Sequence, residues 1–442
     1  FNLTWPEYEW RLKTPGHHYV NQFAQKKWDG SSLENKSILI YVGVRGFSVL
    51  TMLGMSKVLT SLLPQNEYGL YALYTTIWGS LATVFYNPVG QGLIRFFPII
   101  TEAGENESLK KVFHFFLNKG LKWSFFTLSI ICPIIYIFVG WEWSIMVVMA
   151  FTIAFFAGIS SMTVGLFNSF DLEKRTTSLF LEFFDKGLLL ILCTLGAFIL
   201  PKSIAIVCTF LISTFIVAFI SRILLNRQIF TIENRISNNF EKFKKDIIAY
   251  SYPYTIWGIT TAIQTSSERW ALGLFYSPDK VANYAVINLL GFQSLNILFA
   301  MITSFISPLI FQANRNIKSA NIIIKKTILL FISITFICAS MLYVGGHHAI
   351  LFISTPKYLI ENINFLLFIS CVSACIFNIA QVHSLKYMRS LNTKNLIPVH
   401  VVSSILGIIF NLLFTYNWGI VGLVFSLLIS MILKIVIQVF YW

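Results

Sequence analysis

The sequence predicts an all-α membrane protein that crosses a lipid bilayer about twelve times, and three observations indicate this fold class. The 442 residues are 56% hydrophobic and only 12% charged, with a mean hydropathy of +0.71, which is far too apolar for a soluble chain. Apolar stretches of about 20 residues, the length that a spanning helix needs, follow one another closely from Ser37 to Phe440. Lysine and arginine residues concentrate in alternate connections between these stretches.

Each helix is delimited by reading an apolar stretch against the glycine, proline and charged residues that interrupt it. The first half of the chain is predicted to form helices over 36–62, 68–97, 120–140, 143–168, 178–200 and 203–225. The second half is predicted to form helices over 247–276, 281–312, 323–345, 361–388, 395–416 and 418–441.

The orientation follows from lysine and arginine, because short loops rich in these residues stay on the cytoplasmic side. One set of alternate loops holds only Lys202, Lys280 and Lys357, so that set is predicted to face away from the cytoplasm. We therefore expect both chain termini in the cytoplasm, which requires an even number of helices. The opposite, basic set comprises Lys26, Lys27, Lys36, Lys110, Lys111, Lys119, Lys174, Arg175, Arg227, Arg235, Lys242, Lys244, Lys245, Arg315, Lys318, Lys325, Lys326, Arg389 and Lys394.

The chain divides into two halves. Its longest cytoplasmic connection is basic and lies at the midpoint, and the stretch 64–73 (PQNEYGLYAL) resembles 278–286 (PDKVANYAV) with one gap. Both stretches face the same side, so we predict a parallel pseudo-repeat, with the substrate site at the interface between the halves. The predicted parts are a cytoplasmic N-terminal segment (1–35), an N-terminal six-helix bundle (36–225), a cytoplasmic linker (226–246) and a C-terminal six-helix bundle (247–442).

Composition and motifs also limit the chemistry. The six cysteines lie within predicted helices and lack the spacing to histidine of metal ligands, so they are interpreted as small apolar residues. The net charge of +14 sits in short loops rather than on a folded polar face, so nucleic acid is not an expected partner. No nucleophile constellation or glycine-rich phosphate loop occurs, so we expect no enzyme, no ATP-driven pump and no cofactor.

Three passages of the sequence resemble one family of membrane transporters. The first is 62–73 (LLPQNEYGLYAL), and the second is 88–95 (PVGQGLIR), whose last residue is a helix-ending arginine. The third combines 252–254 (YPY), 267–269 (SER) and 283–286 (NYAV), with Glu-Arg where the family usually has Asp-Arg. Beyond its first 35 residues the chain resembles the Wzx-type O-antigen and polysaccharide flippases of the multidrug/oligosaccharidyl-lipid/polysaccharide (MOP) exporter superfamily. This resemblance implies a MATE-like fold.

The resemblance also implies an activity, partners and a location. Flippases of this family move undecaprenyl-pyrophosphate-linked O-antigen or related repeat units from the cytoplasmic to the periplasmic leaflet of the bacterial inner membrane. The implied partners are that lipid-linked glycan, membrane lipids, an O-antigen polymerase and a chain-length regulator of lipopolysaccharide biosynthesis. An ion gradient or the membrane potential would drive the movement.

Two alternatives within the superfamily stay open, a multidrug cation antiporter and a lipid II-type flippase. The antiporter needs an acidic interior, whereas the deep charges of this chain are mostly basic. A glycan polymerase is a third alternative, from a different class of protein, and it needs a large periplasmic loop. The longest predicted periplasmic loop, about 345–361, is short, and it holds His347 and His348.

Charged residues inside predicted helices are the first candidates for a substrate site. A charge in hydrocarbon costs roughly 2.5–3.5 kcal/mol and therefore normally faces a wet interior. Arg45 lies about two turns into the first helix, Lys57 lies nearer the other end of that helix, and Arg95 lies near the end of the second. Glu268 and Arg269 lie in the seventh helix. Cations on equivalent helices of the two halves would converge on a central cavity that suits a pyrophosphate.

Structural alternatives accompany most of these candidates. Lys57 and Arg95 lie close enough to helix ends for their side chains to snorkel to the membrane interface. Glu268 and Arg269 could instead neutralise partners on other helices. Lys434, in the twelfth helix, is interpreted as a snorkelling residue.

A polar and aromatic stripe runs along the seventh predicted helix, at spacings of four, three, four, three and four residues. Such positions share one helical face, and in lipid that face must look inward. Aromatic rings beside hydroxyl and amide groups suit a sugar, but a packing seam against a neighbouring helix explains the stripe equally well. The residues of the stripe are Tyr250, Tyr254, Trp257, Thr261, Gln264 and Glu268.

Overall fold

The computed structural model describes residues 33–102, 105–168, 172–228, 239–312, 317–389 and 396–440. These residues form helices and short connections, without a β-strand among them, so the all-α prediction is confirmed. The helices in chain order are α1 (Leu33–Leu62), α2 (Gln65–Leu81), α3 (Asn87–Glu102), α4 (Asn106–Phe138), α5 (Trp141–Asn168), α6 (Leu172–Ile199), α7 (Ser203–Gln228), α8 (Phe240–Phe275), α9 (Pro278–Asn288), α10 (Ser294–Gln312), α11 (Ile317–Ile353), α12 (Ile363–Arg389) and α13 (Leu396–Phe440).

The chain is a multi-pass membrane protein. Many of its outward side chains are apolar, and on α4 Phe125, Ile137 and Phe138 expose 72%, 74% and 81% of their surface. A helix satisfies its own backbone hydrogen bonds, so such a surface can face lipid. Seven helical segments of the described ranges are long and apolar enough to span a membrane, and about twelve crossings in two bundles stay a prediction. These segments are Glu107–Phe138, Trp141–Asn168, Ser203–Gln228, Pro278–Thr303, Ala320–Ile353, Ile363–Lys386 and Leu396–Phe440.

Two short π-helical segments, called π-turns below, and one kink interrupt the long helices. The π-turn Ala82–Tyr86 joins α2 to α3, and the π-turn Leu289–Gln293 joins α9 to α10. Such turns disturb the regular hydrogen bonding and let a helix bend. Helix α13 is kinked at Gly419, whose φ of +57° is in the left-handed region that favours glycine.

Neighbouring helices pack in a chain within each half of the sequence. In the N-terminal half (α1–α7), α1 packs on α6, α6 on α7, and α7 on α5, which also contacts α2, α3 and α4. In the C-terminal half (α8–α13), α8 packs on α13, α13 on α12, and α12 on α11 and α10. The two halves meet where α2 contacts α8 and α9, where α3 and α4 contact α8, and where α1 contacts α11.

The two copies of the internal repeat lie against each other at one end of the protein. Gln65 Nε2 donates a hydrogen bond of 2.6 Å to Asn283 Oδ1, and the backbone of Pro278 occupies the space that a side chain on Gly69 would need. We call this end, where α1 passes into α2, the α1–α2 end. The opposite end, where α3 passes into α4, is the α3–α4 end.

Candidate functional site

An aromatic ladder lies on the interior face of α8. The ring centroids of Tyr250 and Tyr254 are 5.4 Å apart, and those of Tyr254 and Trp257 are 6.0 Å apart with nearly parallel planes. The next ring is His400 of α13, which stacks on Trp257 at 4.2 Å. The three α8 residues are half-buried and His400 is buried. Spacings of four and three residues place the α8 rings on one face, as the stripe predicted.

A cation of the other half stands across from this ladder. Arg95 lies on α3, which packs against α8, and its neighbour Phe96 meets the ring of Tyr250 edge-on with the centroids 6.0 Å apart. Arg95 is half-buried rather than fully exposed. The site between α3 and α8 therefore combines ring faces, which can stack on a sugar, with a guanidinium group, which can donate to phosphate oxygens.

Gln264, a polar member of the stripe, contacts α13. Gln264 Oε1 accepts a hydrogen bond of 3.0 Å from Ser404 Oγ, and its amide packs where Gly407 leaves room. Asn411 Nδ2 donates to Ser267 Oγ at 2.8 Å. Gln264 thus holds α8 to α13 within the C-terminal half. Sequence reasoning did not single out His400, Ser404 or Asn411, because periodicity identifies a helical face but not the helix that covers it.

Thr261 lies between these two parts of the stripe. It is half-buried on α8, and its backbone carbonyl accepts a hydrogen bond of 2.9 Å from Thr265. The stripe therefore changes partners along α8, from Tyr250, whose ring meets Phe96 of α3, to Trp257 and Gln264, which contact α13.

Glu268 is a buried residue of the C-terminal half, with 8% of its surface exposed. Its Oε2 atom accepts a hydrogen bond of 2.6 Å from the hydroxyl of Tyr284, and Tyr284 accepts one of 3.0 Å from Asn288 Nδ2. These bonds link α8 to α9. The carboxyl group thus has partners inside one half of the protein.

Arg269 reaches across to the N-terminal half. Its Nη1 atom donates to the carbonyl of Ala72 at 2.8 Å and to Thr75 Oγ1 at 2.7 Å. Beside it, Trp270 Nε1 donates to Thr76 Oγ1 at 2.8 Å. Although Glu268 and Arg269 are adjacent in sequence, they bind different elements, and Arg269 ties α8 to α2.

Two lysines at the α1–α2 end form reciprocal hydrogen bonds between the halves, each donating to backbone carbonyls of the other half. Lys57 of α1 donates to the carbonyls of Leu351 and Ser354, at 2.9 Å and 2.6 Å, at the C-terminal end of α11. In return, Lys357, which follows α11, donates to the carbonyl of Leu63 at 2.8 Å, just after α1. A cation stabilises the negative end of a helix dipole, so each half supplies one for the other. We call these residues the lysine exchange.

The surroundings of the lysine exchange are closely packed. Lys357 itself is exposed, but the partial burial of its ammonium group still lowers the pKa of that group from its ordinary value. The next residue, Tyr358, is fully buried and meets the ring of Tyr68 edge-on at 5.9 Å. Sequence reasoning placed Lys57 among the candidates and read Lys357 only as a loop residue.

Arg45 belongs to helix α1, but its side chain is not among the parts of the chain that the structure describes. The N-terminal segment 1–35 lies outside them as well, except for 33–35, which begin α1. In the part of the chain that is described, no group of three His, Cys, Asp or Glu side chains is placed to hold a metal ion.

Two interpretations made from the sequence are wrong. Lys434 does not snorkel: only 7% of its surface is exposed, and its Nζ atom lies 4.9 Å from the ring centroid of Phe377. His347 and His348 lie within α11 rather than in a loop, because the helix continues to Ile353. The connection after α11 is therefore even shorter than the predicted loop 345–361.

The fold is similar to the folds of solved membrane-transporter structures. The chain is similar to "Lipid II flippase MurJ, inward closed conformation", with 15% identity, a TM-score of 0.63, and coverage of 92% of this chain and 87% of that one. It is also similar to a multidrug resistance MATE family transporter of the MOP superfamily. The inward-facing form has 14% identity, a TM-score of 0.67 and coverage of 91% and 97%. The outward-facing form has 13% identity, a TM-score of 0.67 and coverage of 92% and 93%.

No protein-family model and no curated protein sequence matches the chain. At identities this low, the structural likeness concerns the path of the chain rather than its substrate. The chain therefore has the fold shared by the MurJ flippase and the MATE transporters of the MOP superfamily.

Proposed function

We propose that this protein is a flippase for lipid-linked oligosaccharides. It moves undecaprenyl-pyrophosphate-linked repeat units of O-antigen or a related polysaccharide from the cytoplasmic to the periplasmic leaflet. The observation that carries the proposal is the aromatic ladder of Tyr250, Tyr254 and Trp257 on α8, faced by Arg95 on α3. Ring faces suit the apolar faces of sugars, and a guanidinium group suits a diphosphate.

The position of the site between the two halves supports movement by alternating access. The ladder belongs to the C-terminal half and Arg95 to the N-terminal half, so rocking of the halves would open the site to either side in turn. With both termini cytoplasmic, the α1–α2 end is periplasmic, and the lysine exchange closes that end. An ion gradient or the membrane potential drives the cycle.

Export of organic cations is less well supported than movement of an anionic lipid. A cation antiporter needs an accessible acidic group in its interior. Glu268 is buried and accepts a hydrogen bond from Tyr284, whereas Arg95 lies beside the half-buried rings. The sign of the charge at the site therefore favours an anion.

A lipid II-type flippase is the second candidate. It is favoured by the likeness to MurJ, a lipid II flippase. Both candidates share a diphosphate carried on a long lipid and differ in the attached glycan. An O-antigen polymerase and a chain-length regulator would be partners only of the first candidate.

A binding experiment separates these functions. Purified protein is titrated with undecaprenyl-pyrophosphate-linked oligosaccharide, with lipid II, and with an organic cation such as tetraphenylphosphonium, and binding is followed by native mass spectrometry. We expect the lipid-linked oligosaccharide to bind, and Arg95→Gln to weaken its binding about tenfold or more. Binding of the organic cation alone would refute the proposal, and tighter binding of lipid II would favour the second candidate.

A further inference from the structure

A groove opens at the α3–α4 end, on the side where α4 meets α8. It is shallow and open to the outside, with a volume of about 380 Å³. Seven residues line it, and Phe240 is the one contributed by α8. They are Glu107, Lys110, Lys111, His114, Phe115, Asn118 and Phe240. We call it the α4–α8 groove.

The floor of the groove is aromatic and carries cations. The rings of Phe115 and Phe240 meet edge-on, with centroids 6.0 Å apart. Lys244 of α8 lies 5.1 Å from the Phe115 centroid and 5.2 Å from that of Phe240, and Lys119 lies 5.7 Å from Phe115. Such contacts hold the ammonium groups in place at the groove.

The charge at the groove is positive overall. Lys110 and Lys111 line it, while Lys119 and Lys244 stand over its floor, against two glutamates. Glu107 Oε1 lies 3.8 Å from Lys111, and Glu241 Oε2 lies 2.5 Å from Lys244. Four lysines and two glutamates leave a surplus of positive charge.

His114 helps to fix the shape of the groove. Its Nδ1 atom lies 2.7 Å from the carbonyl oxygen of Lys110, and its Nε2 atom contacts Arg222 of α7. These contacts connect the groove to a further cation behind it. An anion in the groove would therefore meet lysines from α4 and α8, with Arg222 behind His114.

The groove lies at the level of lipid headgroups. Directly after it, α4 exposes Leu121, Trp123, Phe125 and Phe126, by 48%, 52%, 72% and 56% of their surface. Large apolar side chains at such exposure face hydrocarbon, and tryptophan favours the membrane interface. Residues 107–118 thus lie just outside the hydrocarbon, where a lipid presents its phosphate.

We propose that the α4–α8 groove binds the phosphate headgroup of an anionic phospholipid. Each nearby lysine favours an anionic membrane surface, and the lipid tails continue along the exposed apolar face of α4. Because α4 and α8 belong to different halves, the bound lipid contacts both halves at the α3–α4 end. This inference is independent of which glycan the protein moves.

Native mass spectrometry of the purified full chain in detergent tests the proposal, with phosphatidylglycerol and phosphatidylcholine as probes. We expect wild type to bind phosphatidylglycerol in preference to phosphatidylcholine. The double variant Lys110→Gln/Lys244→Gln should lower the affinity for phosphatidylglycerol about tenfold or more, and Lys110→Arg/Lys244→Arg should restore it. The matched control is Lys325→Gln/Lys326→Gln, two exposed lysines of α11, which should leave the affinity unchanged.

Three results would overturn the proposal. The first is unchanged binding of phosphatidylglycerol by the Lys110→Gln/Lys244→Gln variant. The second is an equal loss in the α11 control, which would mean general attraction to a basic surface. The third is displacement of the lipid by inorganic phosphate at equal concentration, which would mean a site for soluble phosphate. Thermal unfolding of each variant reports whether it is folded.

Discussion

Replacing Lys57 by methionine removes one ammonium group from the lysine exchange and keeps a flexible apolar side chain of similar length. In the present structure this group donates to two carbonyls, of Leu351 and Ser354, at 2.9 Å and 2.6 Å. Both carbonyls belong to the other half of the chain. Lys57→Met should therefore destabilise the arrangement in which the α1–α2 end is closed, relative to one in which it is open.

The size of the effect follows from the contacts. A hydrogen bond to a charged group contributes about 1.5–3 kcal/mol. The two bonds of Lys57 share one charge and are counted together as one such bond, so losing the ammonium group shifts the equilibrium about 10- to 150-fold towards the open end. Lys357 makes one such bond from an exposed position, where water screens it. Lys357→Met should shift the equilibrium only about two- to fivefold.

Distances between spin labels measure this equilibrium. Labels on Ser61 and Glu361 are exposed, lie at the α1–α2 end and belong to different halves. The six native cysteines are replaced first. We expect the Lys57→Met distribution to gain a population at longer distance, larger than that of Lys357→Met.

Lys202→Met is the matched control, because Lys202 is an exposed lysine of the connection between α6 and α7. It should leave the distances unchanged. The reasoning is refuted if Lys57→Met gives the wild-type distribution, or if Lys202→Met moves it equally.

Substitutions at three further positions probe the site and the fold. Trp257→Ala should weaken binding of the lipid-linked oligosaccharide about two- to tenfold through lost ring contacts, while Trp257→Phe should retain most of it in the same mass-spectrometric titration. Glu268→Gln keeps an acceptor for Tyr284 and should unfold near the wild-type temperature, whereas Glu268→Ala should cost about 1–3 kcal/mol of stability and unfold at a lower temperature. Gly258→Val should abolish the folded protein on size-exclusion chromatography, because a Cβ there would lie 2.7 Å from the Thr83 carbonyl oxygen; a monodisperse peak would contradict that packing.

Local pattern in the sequence was enough to predict the class of fold. Long apolar stretches can only be helices in lipid, because the backbone must satisfy its own hydrogen bonds there. The internal repeat was also visible in the sequence, but the direct contact between its two copies was not. Gln65 and Asn283 of the two copies are directly bonded, and this pairing depends on how the halves dock.

The candidate site was predictable only in part. Their helical spacing in the sequence placed Tyr254, Trp257 and Gln264 on one face of α8, and the structure has them there. It could not assign Tyr250 to the interface with α3, or Trp257 and Gln264 to α13, because the covering helices are distant in sequence. Lys57 is a further case, since its acceptors are backbone carbonyls 294 and 297 residues away, and carbonyls carry no sequence signal.

Lys434 shows a different limit. Its position in the twelfth predicted helix was interpreted as that of a snorkelling side chain, with lining of the cavity as the alternative. The structure instead buries it against Phe377 between α13 and α12. The distance to a helix end says how far a lysine could reach, but the packing around it decides where it points.

Translocation in proteoliposomes tests the central claim most directly. Purified protein is reconstituted with an undecaprenyl-pyrophosphate-linked oligosaccharide in one leaflet, and a membrane-impermeant lectin reports the glycan in the other. We predict that wild type moves the glycan across under an ion gradient or membrane potential, and that Arg95→Gln and Trp257→Ala, folded and inserted normally, move it more slowly. Wild-type protein that moves no more glycan than protein-free liposomes, while exporting tetraphenylphosphonium, would contradict the account.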